Sequence, residues 1–205
     1  MNQIPSFIVD LFRCQTEKIN KLLRVLEYRR DIYWHSVETA KYTYILAREL
    51  NLPDEELKQV VLGGLFHDLG KARIDPGLLS RVVLKPDDWE IIRKHPVWSY
   101  EMVLEAGLDL ETALLVFHHH ERMDGQGYPE GIAGNDIPLG SRIITLADSF
   151  SAMTIYRNYA GCRTITGALW EISIHAGTQF DSYLVEVMTD LFRQKLREVL
   201  VILAV

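Results

Sequence analysis

Apolar side chains recur at steps of three and four residues through most of this chain, and alternating runs bounded by turns are scarce, so the periodicity makes α-helix the main building material. A helix with one apolar stripe must bury it against another element, and a chain built of such stripes packs as an all-α bundle. The first segment, about residues 6–30, carries Phe7, Ile8, Leu11, Phe12, Ile19, Leu22, Leu23 and Leu26 with charges between them and reads as an amphipathic helix. A second is expected over 34–50. Asn51-Leu52-Pro53-Asp54 ends it and caps a third, which begins at Asp54, and Gly70 stops that one. Pro86 with Asp87 and Asp88 opens another helix, which Pro96 is expected to kink or end because proline lacks the N–H donor. Helices over about 109–119, 139–156, 164–176 and 183–203 complete the set. Between 119 and 139, Gly125, Gly127, Pro129, Gly131, Gly134 and Pro138 mark a long loop.

With 205 residues, 48% hydrophobic and 24% charged, the chain can bury a full core as one folded unit, and no repeat, low-complexity tract or linker interrupts it. A formal charge of -6 argues against broad attraction to DNA or an anionic membrane, both of which need many Lys and Arg on phosphates. A phosphate-bearing substrate would therefore need local positive charge. Cys14 and Cys162 fit no metal or redox spacing and read as reduced thiols filling a core. The start MNQIPSFIVDLFRC lacks the features of a secretory signal, and the apolar run 199–205 is far shorter than the ~20 residues of a membrane span. A cytoplasmic location is expected.

The chemistry-bearing residues are spread along the chain. His67 and Asp68 sit side by side at the end of the apolar run VVLGGLFHDLGK, where a carboxylate could bridge two ions and the imidazole serve one; alone, such a pair is more often a helix-end cap. His35, His95, His119, His120 and Asp148 each lie on a predicted helix or helix end. If those helices converge, five histidines and two aspartates suffice for two ions, because imidazole and carboxylate are the ligand set of zinc, manganese or iron. The run HHHERMDGQGYP, three histidines leading into a glycine-rich loop, is the most unusual stretch in the chain.

HDLGK, HHERMDGQGYP and the following GIAGNDIPLGSRIITLAD resemble the HD-GYP group of the HD phosphohydrolase superfamily, and AGTQFDSYLV resembles that group's ending. The resemblance covers about 35–184. It implies an HD-domain helical bundle with a metal centre in its core, 31–205, preceded by an N-terminal helix, 1–30, that packs on the domain or makes a homodimer or regulatory contact. It also implies a ligand set of His35, His67, Asp68 and Asp148 for one metal and Asp68, His95, His119 and His120 for the second, with Asp68 as the bridge. His118 and His175 fall outside that pattern. Two divalent ions are implied, iron or manganese first, with zinc, nickel or magnesium as alternatives; some members hold a third through a glutamate at the position of Asp31.

The activity implied is hydrolysis of cyclic di-GMP to linear pGpG, and onward to GMP, by a hydroxide that two metals generate at neutral pH. Catalytic roles fall on Asp68 and Lys71, the latter neutralising charge on the phosphate. Gly127, Tyr128 and Arg157 are the implied substrate contacts: glycines 125 and 127 let backbone approach the substrate, Pro129 stiffens the loop exit, and Tyr128 meets a guanine or phosphate or else packs the loop. Trp34 and Trp98, beside two ligands, either narrow the mouth or fill the core. Two departures stand out. The usual FDALT reads FSAMT, with Ser151 replacing an acid, and the usual second basic residue after Arg157 is Ala160. These losses keep two alternatives open: a catalytically weak module that binds a cyclic dinucleotide, and a phosphohydrolase of another cyclic nucleotide such as cyclic GMP-AMP.

Overall fold

A computed structural model of the protein describes residues 16–154 and 163–203. Its helices are α1 (Thr16–Glu27), α2 (Arg30–Glu49), α3 (Asp54–Phe66), α4 (Pro76–Leu79), α5 (Pro86–Ile92), α6 (His95–Glu105), α7 (Leu110–Phe117), α8 (Leu139–Thr154), α9 (Ile165–Ile174) and α10 (Ser182–Leu203), with 3-10 turns at Leu69–Arg73 and Gly134–Asp136. Among the described residues there is no strand, only an isolated bridge between Ala176 and Phe180. None of the described helices is long and apolar enough to cross a membrane.

Helix α3 is buried from Val60 through Phe66 on every side, as expected of a helix at the centre of a bundle. It packs on α2, α7 and α8, while α2 also lies along α8 and α6 packs on α7 and the Leu69–Arg73 turn. Two groups of buried side chains result. Leu22, Leu26, Val37, Leu62, Phe66, Leu69, Val103 and Val116 join α1, α2, α3, α6 and α7. Ile143, Leu146, Ala147, Phe150, Ile172, Leu184 and Met188 join α8, α9 and α10. Each fully buried Leu or Phe contributes roughly 1.5–3 kcal/mol, whereas exposed pairs such as Lys41–Glu38 contribute at most about 1. The apolar core therefore offsets the cost of burying polar groups between these two clusters.

Several helix ends differ from expectation. Pro96 begins α6 instead of ending α5, since proline in the first turn loses no bond the helix needs. Helix α3 does begin at Asp54, with Pro53 of the expected capping stretch as its cap residue. Helix α3 stops at Phe66, before Gly70, which lies inside the 3-10 turn. Glycine is needed there for closeness: a Cβ at position 70 would lie 2.2 Å from the His95 carbonyl and 2.8 Å from the Ser99 nitrogen. The histidine run also sits outside its helix, because α7 ends at Phe117. In α1, Ile19, Leu22, Leu23 and Leu26 are buried in the same cluster as Phe66, so this face of the helix is covered by its own fold. Residues 1–15 and both cysteines lie outside the described residues.

Candidate metal centre

Three imidazoles are delivered by one local device. His67 follows the last residue of α3, His95 follows the end of α5, and His119 follows the end of α7. The last carbonyls of a helix lack intrahelical partners. Each ring answers the carbonyl three residues back: Nδ1 of His67 donates to Gly64 at 2.8 Å, that of His95 to Ile92 at 2.7 Å, and that of His119 to Val116 at 2.6 Å. A carbonyl only accepts, so Nδ1 carries the proton and Nε2 is left with its lone pair, the form that binds a metal. Side chains then hold the turns. Ser99 donates to the His67 carbonyl at 2.8 Å and accepts from the Gly70 N–H at 2.7 Å, and Thr145 on α8 donates to the His119 carbonyl at 2.6 Å.

The rings converge on Asp68 from two sides. On one, Nε2 of His95 lies 3.3 Å from Nε2 of His119, 3.2 Å from Nε2 of His120 and 3.3 Å from Oδ1 of Asp68. On the other, Nε2 of His35 and His67 lie 3.8 and 3.5 Å from Oδ2 of Asp68, and 2.7 and 3.6 Å from Oδ1 of Asp148. The four ligand atoms of Asp68, His95, His119 and His120, and the three of His35, His67 and Asp68, each fall within 4.8 Å of one another. Nε2 of His67 and Oδ1 of Asp68 are buried without a hydrogen-bond partner. Leaving such atoms unsatisfied costs roughly 1–3 kcal/mol each. Lone pairs of His95 and His119 facing each other with no proton between them repel. A divalent cation on each side of Asp68 answers both problems, so the residues present fit a pair of metal ions.

The electrostatics agree. Burial favours the neutral acid of Asp68, but Lys71 and His67 outweigh it and hold the carboxyl well below its usual range. Asp148 is likewise held well below by His35 and His67, against burial. Burial disfavours a cation on His67, yet Asp68 and Asp148 push that imidazole up to about 10, which marks the place where positive charge is wanted. His119 and His120 are driven well below the usual histidine value by burial and then by neighbouring imidazoles, and burial lowers His35 and His95 too. Ionised carboxylates beside the imidazoles of His35, His95, His119 and His120, which burial keeps neutral, make a donor set for hard-to-borderline divalent metals, and a metal ion would take the place of the positive charge drawn to His67.

A family model described as HD domain matches residues 17–184. The chain belongs to the HD domain family. Its HD-GYP character shows in the relatives. It is 32% identical over 183 residues to the cyclic di-GMP phosphodiesterase response regulator RpfG of Xanthomonas campestris, covering 85% of this chain and 47% of that protein. It is 32% identical over 136 residues to the 3'3'-cGAMP-specific phosphodiesterase 3 of Vibrio cholerae, covering 66% of this chain and 30% of that one. The chain thus spans about half or less of the length of these relatives. In fold it is similar to Bd1817, a HDG"Y"P protein from Bdellovibrio bacteriovorus, with a TM-score of 0.65 and 20% identity over 79% of this chain and 52% of that chain. The family match begins at residue 17, and so takes in α1, which the motif-based resemblance left out.

In this HD-GYP chain the remaining expected site residues are distributed unevenly. Lys71 reaches the centre, its Nζ 2.7 Å from Oδ2 of Asp68. Tyr128 stacks on His120 with ring centroids 4.7 Å apart, and the Tyr128–Pro129 peptide is cis. Gly127 permits a close approach, but to the protein itself: a Cβ there would lie 2.5 Å from the Glu121 Cα and 2.6 Å from the His120 carbonyl. Asp31 lies in the first turn of α2 with its side chain outside the described residues, as is all of Arg157. Trp34 is 46% exposed beside His35, while Trp98 packs on the Ile74, Leu78 and Ile92 cluster. His175 is half-exposed at the end of α9, away from the rings.

Four residues with work to do around the centre went unassigned in the sequence. His118 faces Glu130 at 2.9 Å and so ties the histidine run to the far side of its loop. Buried Glu121 accepts from the Glu130 and Gly131 N–H groups at 2.7 and 3.0 Å, pinning the same loop. Ser151 Oγ is 3.1 Å from Nδ1 of His35, so the substituted position touches a ligand directly. Arg93 lies over the Tyr128 ring, 5.5 Å from its centroid. A signal for Ser151 existed, since it follows Asp148 by less than one helical turn; nothing local marks Arg93.

Proposed function

We propose that this chain is a metal-dependent cyclic dinucleotide phosphodiesterase that opens cyclic di-GMP to linear pGpG and cuts it again to GMP. The observation that carries this reading is the sharing of Asp68: its two oxygens face two separate sets of imidazoles, the arrangement a binuclear phosphoesterase centre requires. Divalent ions held by His35, His67, Asp68 and Asp148 on one side, and by Asp68, His95, His119 and His120 on the other, would supply a water nucleophilic at neutral pH and positive charge for the phosphate oxygens. Iron or manganese suits this set best, with zinc, nickel or magnesium accepted by the same donors, and Asp31 offers a ligand for a third ion.

The chain's own residues would orient the substrate and balance its charge. Asp68 fixes the spacing of the two ligand sets. Lys71, already bonded to Asp68, stands where a phosphate oxygen of the diester would need a cation. Tyr128 and Gly127 wall the approach, and Arg157 supplies a further cation. The relatives named for cyclic di-GMP and for 3'3'-cGAMP support the substrate class. A dimer or regulatory contact through the N-terminal helix, residues 1–30, belongs to the same reading and is tested by the solution mass with and without those residues.

Metal-loaded protein incubated with cyclic di-GMP and, in parallel, with 3'3'-cGAMP, followed by chromatography, tests the reading. Release of pGpG and then GMP is expected. Saturable binding of either ligand without product would replace the hydrolase by a binding module, and turnover of 3'3'-cGAMP alone would reassign the substrate.

A further inference from the structure

We infer that Arg93 is a substrate anchor, binding the second phosphate of a cyclic dinucleotide, the one that the metal centre does not cut. This rests on the cyclic dinucleotide reading above. Tyr128 was expected to meet a guanine or phosphate or else to pack the loop, and its ring is stacked on His120 at 4.7 Å and carries the Arg93 guanidinium at 5.5 Å. The group presented outward from this stack is the guanidinium, since Arg93 is exposed at the end of α5, two residues before His95.

Arg93 also differs from those cations of the chain that an acid already holds. Arg73 holds Glu101, Arg81 holds Asp88, Arg122 holds Asp124, Arg142 holds Asp181, and Lys71 holds Asp68. No carboxylate among the described residues pairs with Arg93. A guanidinium left without an acid, beside the Tyr128 ring that lies on the ligand His120 in a chain of net charge -6, suits an anion that has to be drawn in. A cyclic dinucleotide carries two phosphates on opposite sides of one macrocycle. With one at the ions, the other must meet protein at some distance from them, and Arg93 lies against the Tyr128 ring, which itself lies against the ligand His120. The planar fork bonds a phosphate through two N–H groups, and the ring beneath restricts the side chain, reducing the ordering cost of binding.

The test compares Arg93→Ala and Arg93→Lys with the native chain on two diesters, cyclic di-GMP and bis(p-nitrophenyl) phosphate, which has one phosphate only, at low and high salt. Loss of a hydrogen-bonded charge on a phosphate should raise KM for cyclic di-GMP by about tenfold or more, with kcat changed little, and should flatten the salt dependence of KM. The effect on the single-phosphate diester should be much smaller, and Arg93→Lys should recover part of the loss. Equal losses on both diesters would show that Arg93 merely packs Tyr128, and an unchanged KM would remove the anchor altogether. A loss that falls on guanine rings but not on adenine rings in otherwise identical cyclic dinucleotides would make Arg93 a base reader and overturn the phosphate assignment. Affinity for cyclic di-GMP measured by calorimetry separates the two levels of inference. Native protein that binds without cutting defeats the hydrolase reading, and Arg93→Ala then still decides the anchor through Kd; native protein that neither binds nor cuts defeats both.

Discussion

The two sides of Asp68 are built by different means. The His95, His119 and His120 side is all imidazole, with two of its rings locked by carbonyls three residues back, and its single negative charge comes from Oδ1 of Asp68. The opposite side mixes His35 and His67 with the carboxylate of Asp148, and its outer ring, His35, is backed by a serine hydroxyl that can donate or accept. One side thus has two preset rings and neutral donors, whereas on the other His67 is the ring preset in this way. The other relies on concentrated negative charge, with Lys71 sharing the same Asp68 oxygen. The difference teaches that a bridging carboxylate can join two unlike ligand sets, so damage to each should be separable.

The largest effect is expected where the sets meet. Asp68→Asn should bring bound metal from about two ions toward none and turnover to background; two retained ions by elemental analysis would break the comparison, because neither side would then depend on the shared carboxylate. Gly70→Ala should follow. Its added carbon would collide with the His95 carbonyl, destabilising the fold by about 1–3 kcal/mol in denaturant melts and moving the Asp68 turn away from His95, and a native midpoint would show the two turns to be less tightly packed than described. Next, His119→Ala and Asp148→Ala should each remove about one ion, from opposite sides, in calorimetric titrations with manganese. Loss of both ions in each variant would mean that the sides are not separable. Ser151→Ala should weaken only the His35 side, by about 10–100-fold in affinity, as removal of a partner of a ligating imidazole does. An equal loss on the His95 side would assign Ser151 a general packing role.

The smallest effect concerns acid stability of the imidazole side. Helix α5 ends at Ile92, whose carbonyl holds His95, and begins with Asp88 accepting from the Lys85 N–H at 2.9 Å. That bond first, and Arg81 after it, hold the Asp88 carboxyl below its ordinary value against the opposing effect of burial. A depressed carboxyl stabilises the fold above its unfolded-state value and loses that contribution as pH falls through the folded-state value. Unfolding of the native chain should therefore weaken in acid by a component that Asp88→Asn lacks. Parallel pH curves for the two proteins would remove Asp88 from the support of His95.

Much of the fold was legible because helix periodicity is a local property. Apolar residues every three or four positions mark α2, α3, α8 and α10 without any knowledge of what they touch. Ends were less legible, and for a physical reason: Pro96 and Gly70 answer demands made by neighbours, not by their own segments. Proline suits either a break or a first turn, and only the position of His95 against His119 settles which. Gly70 resembles a helix stop, whereas its lack of a side chain is required by backbone 25 residues away.

The candidate site divides in the same way. The adjacency of His67 and Asp68, the histidine run and its glycine loop are written in the chain, and with them the residue types for a metal centre. Which of three neighbouring histidines turns inward follows from no local pattern and was implied only by the family resemblance. His119 and His120 face His95, while His118 faces Glu130, because α7 ends at Phe117 and the turn that follows sends consecutive rings in different directions. The tasks of Ser151 at His35 and of Arg93 over Tyr128 likewise exist only across distances that local pattern does not encode. The sequence by itself determined the helices and the chemical kinds of donor, since both follow from side chains and near neighbours. Tertiary structure alone decided which donors meet at Asp68 and from which side, since hydrogen bonds and ligand contacts act over a few ångströms of space, however far apart their partners lie along the chain.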